Sequence, residues 1–179
     1  MVRFEDSRFE ASGLAKYDSG YVAYGRWREA GQTASAMVWL GEHGGVDVSK
    51  ASEGLWRGRS RPQVDDVYVG LTSVQPIESG ILAVETEFDG SLAQVDTRNA
   101  VWRFDENGDL AREFADGGTM ALEGRGGVIG MGRSRDALLV LRASKLEDGL
   151  RQVAFDRMQI NGDLEASVDA IDLVAENEP

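Results

Sequence analysis

Thr72 to Gly80 reads TSVQPIESG and runs directly into the apolar stretch Ile81-Leu82-Ala83-Val84. Ser12 to Gly20 reads SGLAKYDSG and runs into Tyr21-Val22-Ala23-Tyr24 in the same way. A third version has Val128-Ile129-Gly130-Met131, the turn residues Ser134-Arg135-Asp136, and then Ala137-Leu138-Leu139-Val140-Leu141. The downstream halves also correspond. Ala36-Met37-Val38-Trp39-Leu40 leads to Gly44-Gly45, Ala100-Val101-Trp102-Arg103-Phe104 to Asn107-Gly108, and Val153-Ala154-Phe155-Asp156-Arg157-Met158 to Asn161-Gly162. From first turn to second glycine the spacings are 25, 28 and 26 (Gly20 to Gly45, Gly80 to Gly108, Asp136 to Gly162). Near-equal spacing with the same order of apolar and turn residues marks an internal repeat.

Each copy reads as four short strands. The first precedes the turn and the second is the apolar run after it. A polar loop follows, over Trp27–Ser35, Glu87–Asn99 and Ser144–Arg151 in the three copies. The third strand alternates, as in Val101-Trp102-Arg103-Phe104, the period-two pattern of a half-buried strand. Asn107-Gly108 and Asn161-Gly162 predict two-residue hairpins, because both central residues of a type I′ turn need positive φ, and Gly44-Gly45 serves the first copy. The fourth strand is expected over Leu110–Phe114 and Leu164–Val168. Beyond one possible turn at Ser144–Leu150, no helical period of useful length competes. The fold class is therefore all-β, one domain over 1–179, with repeats at about 9–54, 69–118 and 120–173.

The run from Ile81 through Phe104, Asp105, Asn107-Gly108 and Leu110 resembles a β-propeller blade, and Phe155–Leu164 resembles it again. The resemblance implies a β-propeller-like arrangement of three four-stranded repeats, as a half-propeller or a three-bladed array. It rests on structural residues and implies no catalytic position. Propellers close with 4–8 blades, so two chains pairing into a six-bladed ring is one expectation, with Met1–Phe9 or the C-terminal strand lending a closing edge. The alternative is a β-trefoil-like pseudo-threefold barrel, whose size range suits 179 residues although its Gln-x-Trp signature is missing.

Composition narrows the chemistry. Nineteen Lys and Arg stand against 31 Asp and Glu, a formal charge of −12. That charge repels phosphate backbones, so nucleic acid is not the expected partner. It attracts cationic surfaces instead. No run of about 20 apolar residues suggests a membrane span, and no basic-then-apolar opening suggests a signal peptide, so a cytoplasmic chain is expected. The absence of Cys removes disulfides and thiolate chemistry.

His43, the single histidine, lies at a turn with no G-x-S-x-G motif elsewhere, so no catalytic residue and no cofactor is assigned. One His and no Cys argue against zinc. Asp105, Asn107 and Asp109 have the spacing of the first calcium-loop ligands, but Leu110 and Asp116 occupy the places of the required Gly and Glu. Gly124-Arg125-Gly126-Gly127 lacks the Lys-Ser/Thr of a phosphate loop. No metal site is assigned.

Candidate binding residues remain. Trp27 and Trp56, in Arg-rich surroundings, would be interface anchors if exposed. Trp39 and Trp102 read as packing. Arg57 and Arg59 belong to the cluster Arg57-Gly58-Arg59-Ser60-Arg61, expected to be a solvated connector balanced by Asp65 and Asp66. Asp18 and Glu78 recur at matching turns. The function expected is a non-enzymatic protein-binding module with an acidic surface for a basic protein, of which an immunity or antitoxin-type inhibitor is one form. The alternative is a dimeric, lactonase-like propeller hydrolase, in which carboxylates such as Asp18, Glu78 and Asp136 would hold a divalent metal.

Overall fold

A computed structural model of the chain describes residues 3–4, 7–65, 67–89, 96–122, 126–135, 137–145, 151–159 and 164–173. These residues form strands, turns and bends, with no helix among them. The strands make three antiparallel sheets, none closed on itself. The first contains β1 (Arg3–Phe4), β2 (Ser7–Tyr17), β3 (Gly20–Glu29), β4 (Gln32–Leu40), β5 (Leu55–Arg57) and β6 (Arg61–Pro62). The second contains β7 (Val67–Ile77), β8 (Gly80–Asp89), β9 (Asp96–Phe104) and β10 (Thr119–Leu122). The third contains β11 (Gly127–Ser134), β12 (Ala137–Lys145), β13 (Arg151–Gln159) and β14 (Leu164–Leu173).

The three sheets begin alike, an arrangement compatible with repeated β units. Each contains a hairpin closed, with two residues between, by the pairs Tyr17↔Gly20, Ile77↔Gly80 and Ser134↔Ala137, preceded in the first sheet by β1. Each first strand carries a bulge the same distance before its turn, at Ser12, Thr72 and Ile129. A bulge adds one residue and sharpens the local twist. The recurring turn glycine has a steric cause. A Cβ on Gly20 or Gly80 would collide with the carbonyl oxygen of Leu40 or Phe104, the residues that end the third strands.

The first two sheets correspond further, 64 residues apart. Gly41 N–H donates to Gly45 O (2.8 Å) as Asp105 N–H does to Asp109 O (2.8 Å). Trp39 N–H donates to Gly54 O (2.9 Å) as Arg103 N–H does to Gly118 O (3.0 Å). Ala51 and Ala115 share a positive φ (46° and 43°).

Several boundaries differ from the sequence reading. The loop expected over Trp27–Ser35 is largely strand, because β3 and β4 extend into it, and β8 and β9 likewise extend into Glu87–Asn99, whose residues 90–95 lie outside the described residues. Asn107-Gly108 is not a type I′ hairpin: only Gly108 has positive φ (84°), and the isolated bridge Phe104↔Leu110 encloses five residues. The fourth strand of the second sheet is Thr119–Leu122, not Leu110–Phe114. Asp105 accepts the N–H groups of Asn107 and Asp109, which curls the chain into a wide loop, and a return strand pairs only after Gly117-Gly118. Asn161-Gly162 lies outside the described residues.

Burial follows the pleat. Val22, Met37 and Trp39 of the first sheet pack with Leu71, Ile81, Ala83 and Phe104 of the second. Leu82, Val84 and Val101 on the second sheet's other face pack with Val128, Leu138, Val140 and Met158 of the third. The three sheets are thus stacked face to face, with the second in the middle. Trp56 of β5 crosses the first junction to reach Phe104 (ring centroids 4.8 Å) and Trp102 (5.4 Å).

Candidate functional site

The two corresponding loops, 41–54 and 105–118, carry an uneven charge. Glu42, Asp47 and Glu53 stand against Lys50 in the first. In the second, Asp105, Glu106, Asp109, Glu113 and Asp116 stand against Arg112. Eight acids less two bases leave −6, half of the chain's −12 in 28 positions. Six of the acids, Glu42, Glu53, Glu106, Asp109, Glu113 and Asp116, are exposed.

The loops are locked together rather than merely adjacent. Ala51 N–H donates to Asn107 O (2.7 Å), and Lys50 Nζ donates to Glu106 O (2.6 Å). Tyr17 Oη donates to the same carbonyl at 3.4 Å, and the Lys50 ammonium lies 5.8 Å from the Tyr17 ring centre. Gly108 fits against Trp39, where a Cβ would come within 2.9 Å of the indole. Partial burial raises the Tyr17 phenol above its ordinary pKa, and the negative charges of Asp18, Glu106 and Asp105 raise it further. Asp47 shifts down because its carboxylate accepts the hydroxyl and the N–H of Ser49. His43 is an exposed residue of the first loop.

Apart from Arg112, the arginines sit outside the two loops, and several pair with acids on the strands. Arg26 and Arg28 reach Glu10 (2.5 and 3.4 Å), Arg57 reaches Glu29 (3.0 Å), and Arg133 reaches Glu78 (3.5 Å). Arg61 pairs with Glu87 and lies 3.8 Å from Glu85. In the third sheet Arg142 and Asp156 form a bidentate pair (2.5 and 2.8 Å), both almost wholly buried. The cationic groups therefore offset acids along the strands, and the two loops keep their excess.

The candidates read from the sequence fall in different places. Trp27 is buried (5% exposed) on the outward face of the first sheet, beneath the Arg57 guanidinium at 5.4 Å. Trp56 is half-buried between the first two sheets. Neither is an exposed anchor: Trp27 is covered in a cluster with Phe9, Ala36 and Val38 and by Arg57, and Trp56 packs on Trp102 and Phe104. The segment 58–60 joins β5 to β6 without strand structure, with Arg57, Arg59 and Ser60 exposed; Arg57 pairs with Glu29 within the first sheet, and Arg61 reaches Glu85 and Glu87 of the second. Arg59 is exposed and lines a cleft of about 580 Å³ with Arg61, Glu85, Glu87 and Arg98. Asp66 is outside the described residues.

Asp18 is an exposed turn residue with φ 52°. Glu78 occupies the matching turn of the second sheet and pairs with Arg133 of the third. Asp136, their expected companion, is outside the described residues. Among the described residues no group of three or more His, Asp or Glu is placed to hold a metal ion, and no helix is long and apolar enough to cross a membrane.

The sequence reading took Gly44-Gly45 and Asn107-Gly108 as equivalent turns but missed the paired loops as a surface. The legible signal was the acid count on either side of those glycines. The chain is thus a three-sheet antiparallel β protein carrying one interlocked acidic loop pair. It matches no protein-family model, and the comparisons with curated proteins and with solved structures returned no match.

Proposed function

We propose that this chain is a non-enzymatic protein-binding module whose interlocked acidic loops receive a basic protein partner. The observation that carries this reading is the concentration of half the net charge on loops 41–54 and 105–118, backed by strands and tied to each other. Fixed like charges held on a stiff frame raise the local concentration of a cationic partner and speed association by about 10–10³-fold. The entropy cost of ordering the loops is already met by their mutual hydrogen bonds. An immunity- or antitoxin-type inhibitor of a basic protein is one form this module takes. We also read the three sheets as propeller-like blades, on the hairpin and bulge positions that recur in all three and the turn glycine shared by the first two.

The test is binding of a panel of defined basic proteins, measured by calorimetry and stopped-flow at low and high salt. It compares the native chain with a variant carrying Glu42→Gln, Glu53→Gln, Glu106→Gln, Glu113→Gln and Asp116→Asn. These side chains are exposed, so the fold is retained. The expected result is a specific complex whose association rate falls with salt and falls again in the variant. A complex indifferent to both salt and the five substitutions rejects the acidic loops as the binding face.

A further inference from the structure

Each sheet presents two faces, and the ladder registers allow equivalent positions to be followed from sheet to sheet. One set is Val22, Leu82 and Leu139; a second is Met37, Val101 and Phe155. In the first sheet, Val22 and Met37 are fully buried against the second sheet. In the second, Leu82 and Val101 are buried against the third. In the third, Leu139 is 38% exposed and Phe155 44% exposed. Ile129, the bulge residue beside them, is 62% exposed.

The opposite face shows the complementary pattern. Leu14, Val74 and Met131 are equivalent, each paired across to Ala23, Ala83 and Val140 in turn. Val74 and Ala83 pack toward the first sheet, and Met131 and Val140 toward the second. Leu14, in the first sheet, is 59% exposed. Among the described residues, both junctions between sheets join the Val22-type face of one sheet to the Leu14-type face of the next. One face of each kind has no other described sheet against it; on the first sheet Phe9, Trp27, Ala36 and Val38 are buried in a cluster of their own on that face, and Leu14 stands exposed beside them.

We infer that these two end faces bind each other between two copies of this chain, the third sheet of each seating on the first sheet of the other. The occupant follows from the molecule's own junctions: the face around Phe155 is of the kind that packs on a Leu14-type face, and the chain carries one such face unpaired. The second sheet stands between the two ends, so they are not in contact within one copy. Copy number follows from closure. A head-to-tail contact forms a ring or an open chain. Sheets stacked this way close in sets of 4–8, and of the multiples of three only six falls in that range. This inference is independent of the acidic-loop reading, since the substitutions that test it lie on other residues.

The experiment is light scattering after size exclusion over a wide concentration range, for the native chain, Leu14→Arg, Phe155→Glu, and an equimolar mixture of the two variants. Both substituted side chains are exposed, and far-UV circular dichroism verifies that the sheets persist. The native chain is expected at twice the 19.5 kDa of one copy, and each variant at 19.5 kDa. The mixture is expected to recover the double mass, because one junction is then native and the other opposes Arg to Glu. A native monomer overturns the inference. So does a mass that climbs past two copies, and so does a Leu14→Arg variant that keeps its dimer, which would mean that like faces pair.

Discussion

Replacing Asp156 with Ala removes the carboxylate that binds Arg142 at 2.5 and 2.8 Å, in a site where both side chains are 3% exposed. The guanidinium keeps its charge and loses two charge-assisted hydrogen bonds, with little water able to replace them. Breaking such a buried pair from one side costs about 3–5 kcal/mol. At roughly 2–4 °C per kcal/mol for a chain of this size, the melting temperature falls by about 6–20 °C. Arg142→Met alone leaves a buried carboxylate and is expected to cost a similar amount. The double variant Arg142→Met with Asp156→Leu removes both charges and keeps apolar volume between the second and third sheets. Such replacements are neutral or stabilising by about 1–4 kcal/mol. The assay is urea unfolding of all four proteins, followed by tryptophan fluorescence and far-UV circular dichroism. A double variant as unstable as the two single losses added together would refute the argument. Their packing, not their charge pairing, would then be what the sheet requires.

Gly108→Ala puts a Cβ at φ 84° and within 2.9 Å of Trp39, so a loss of about 1–3 kcal/mol is expected by thermal unfolding. The Tyr17 phenol is held above its ordinary value of 10.0 by burial and the nearby carboxylates, so ultraviolet absorbance should show a late-titrating phenol that Tyr17→Phe removes. The folded state holds that proton more tightly than the unfolded state. The resulting stability is complete below pH 10.0 and is lost as pH rises through the folded value. Calcium and chelator are each expected to leave the melting curve unmoved, whereas a carboxylate-bound ion would raise it by mass action.

The sequence by itself carried the all-β class, the three-fold recurrence of turn and apolar strand, and the packing of Trp39 and Trp102. These are legible because they depend on local chemistry: period two, residues that tolerate positive φ, and glycine at a tight approach. The fourth strand of the second sheet was misplaced because the carboxylate of Asp105 captures its own loop, accepting N–H groups two and four residues on, where the sequence shows a hairpin signal. The Trp27 and Trp56 surroundings were misjudged because an arginine beside an indole in sequence says nothing of which face each occupies. Tertiary structure alone decided that Arg61 of β6 pairs with acids of the second sheet, that loops 41–54 and 105–118 interlock into one acidic surface, and that Leu14 and Phe155 lie exposed on faces turned away from the second sheet. Each of these joins residues tens of positions apart, and only the order in which faces stack determines which of them meet.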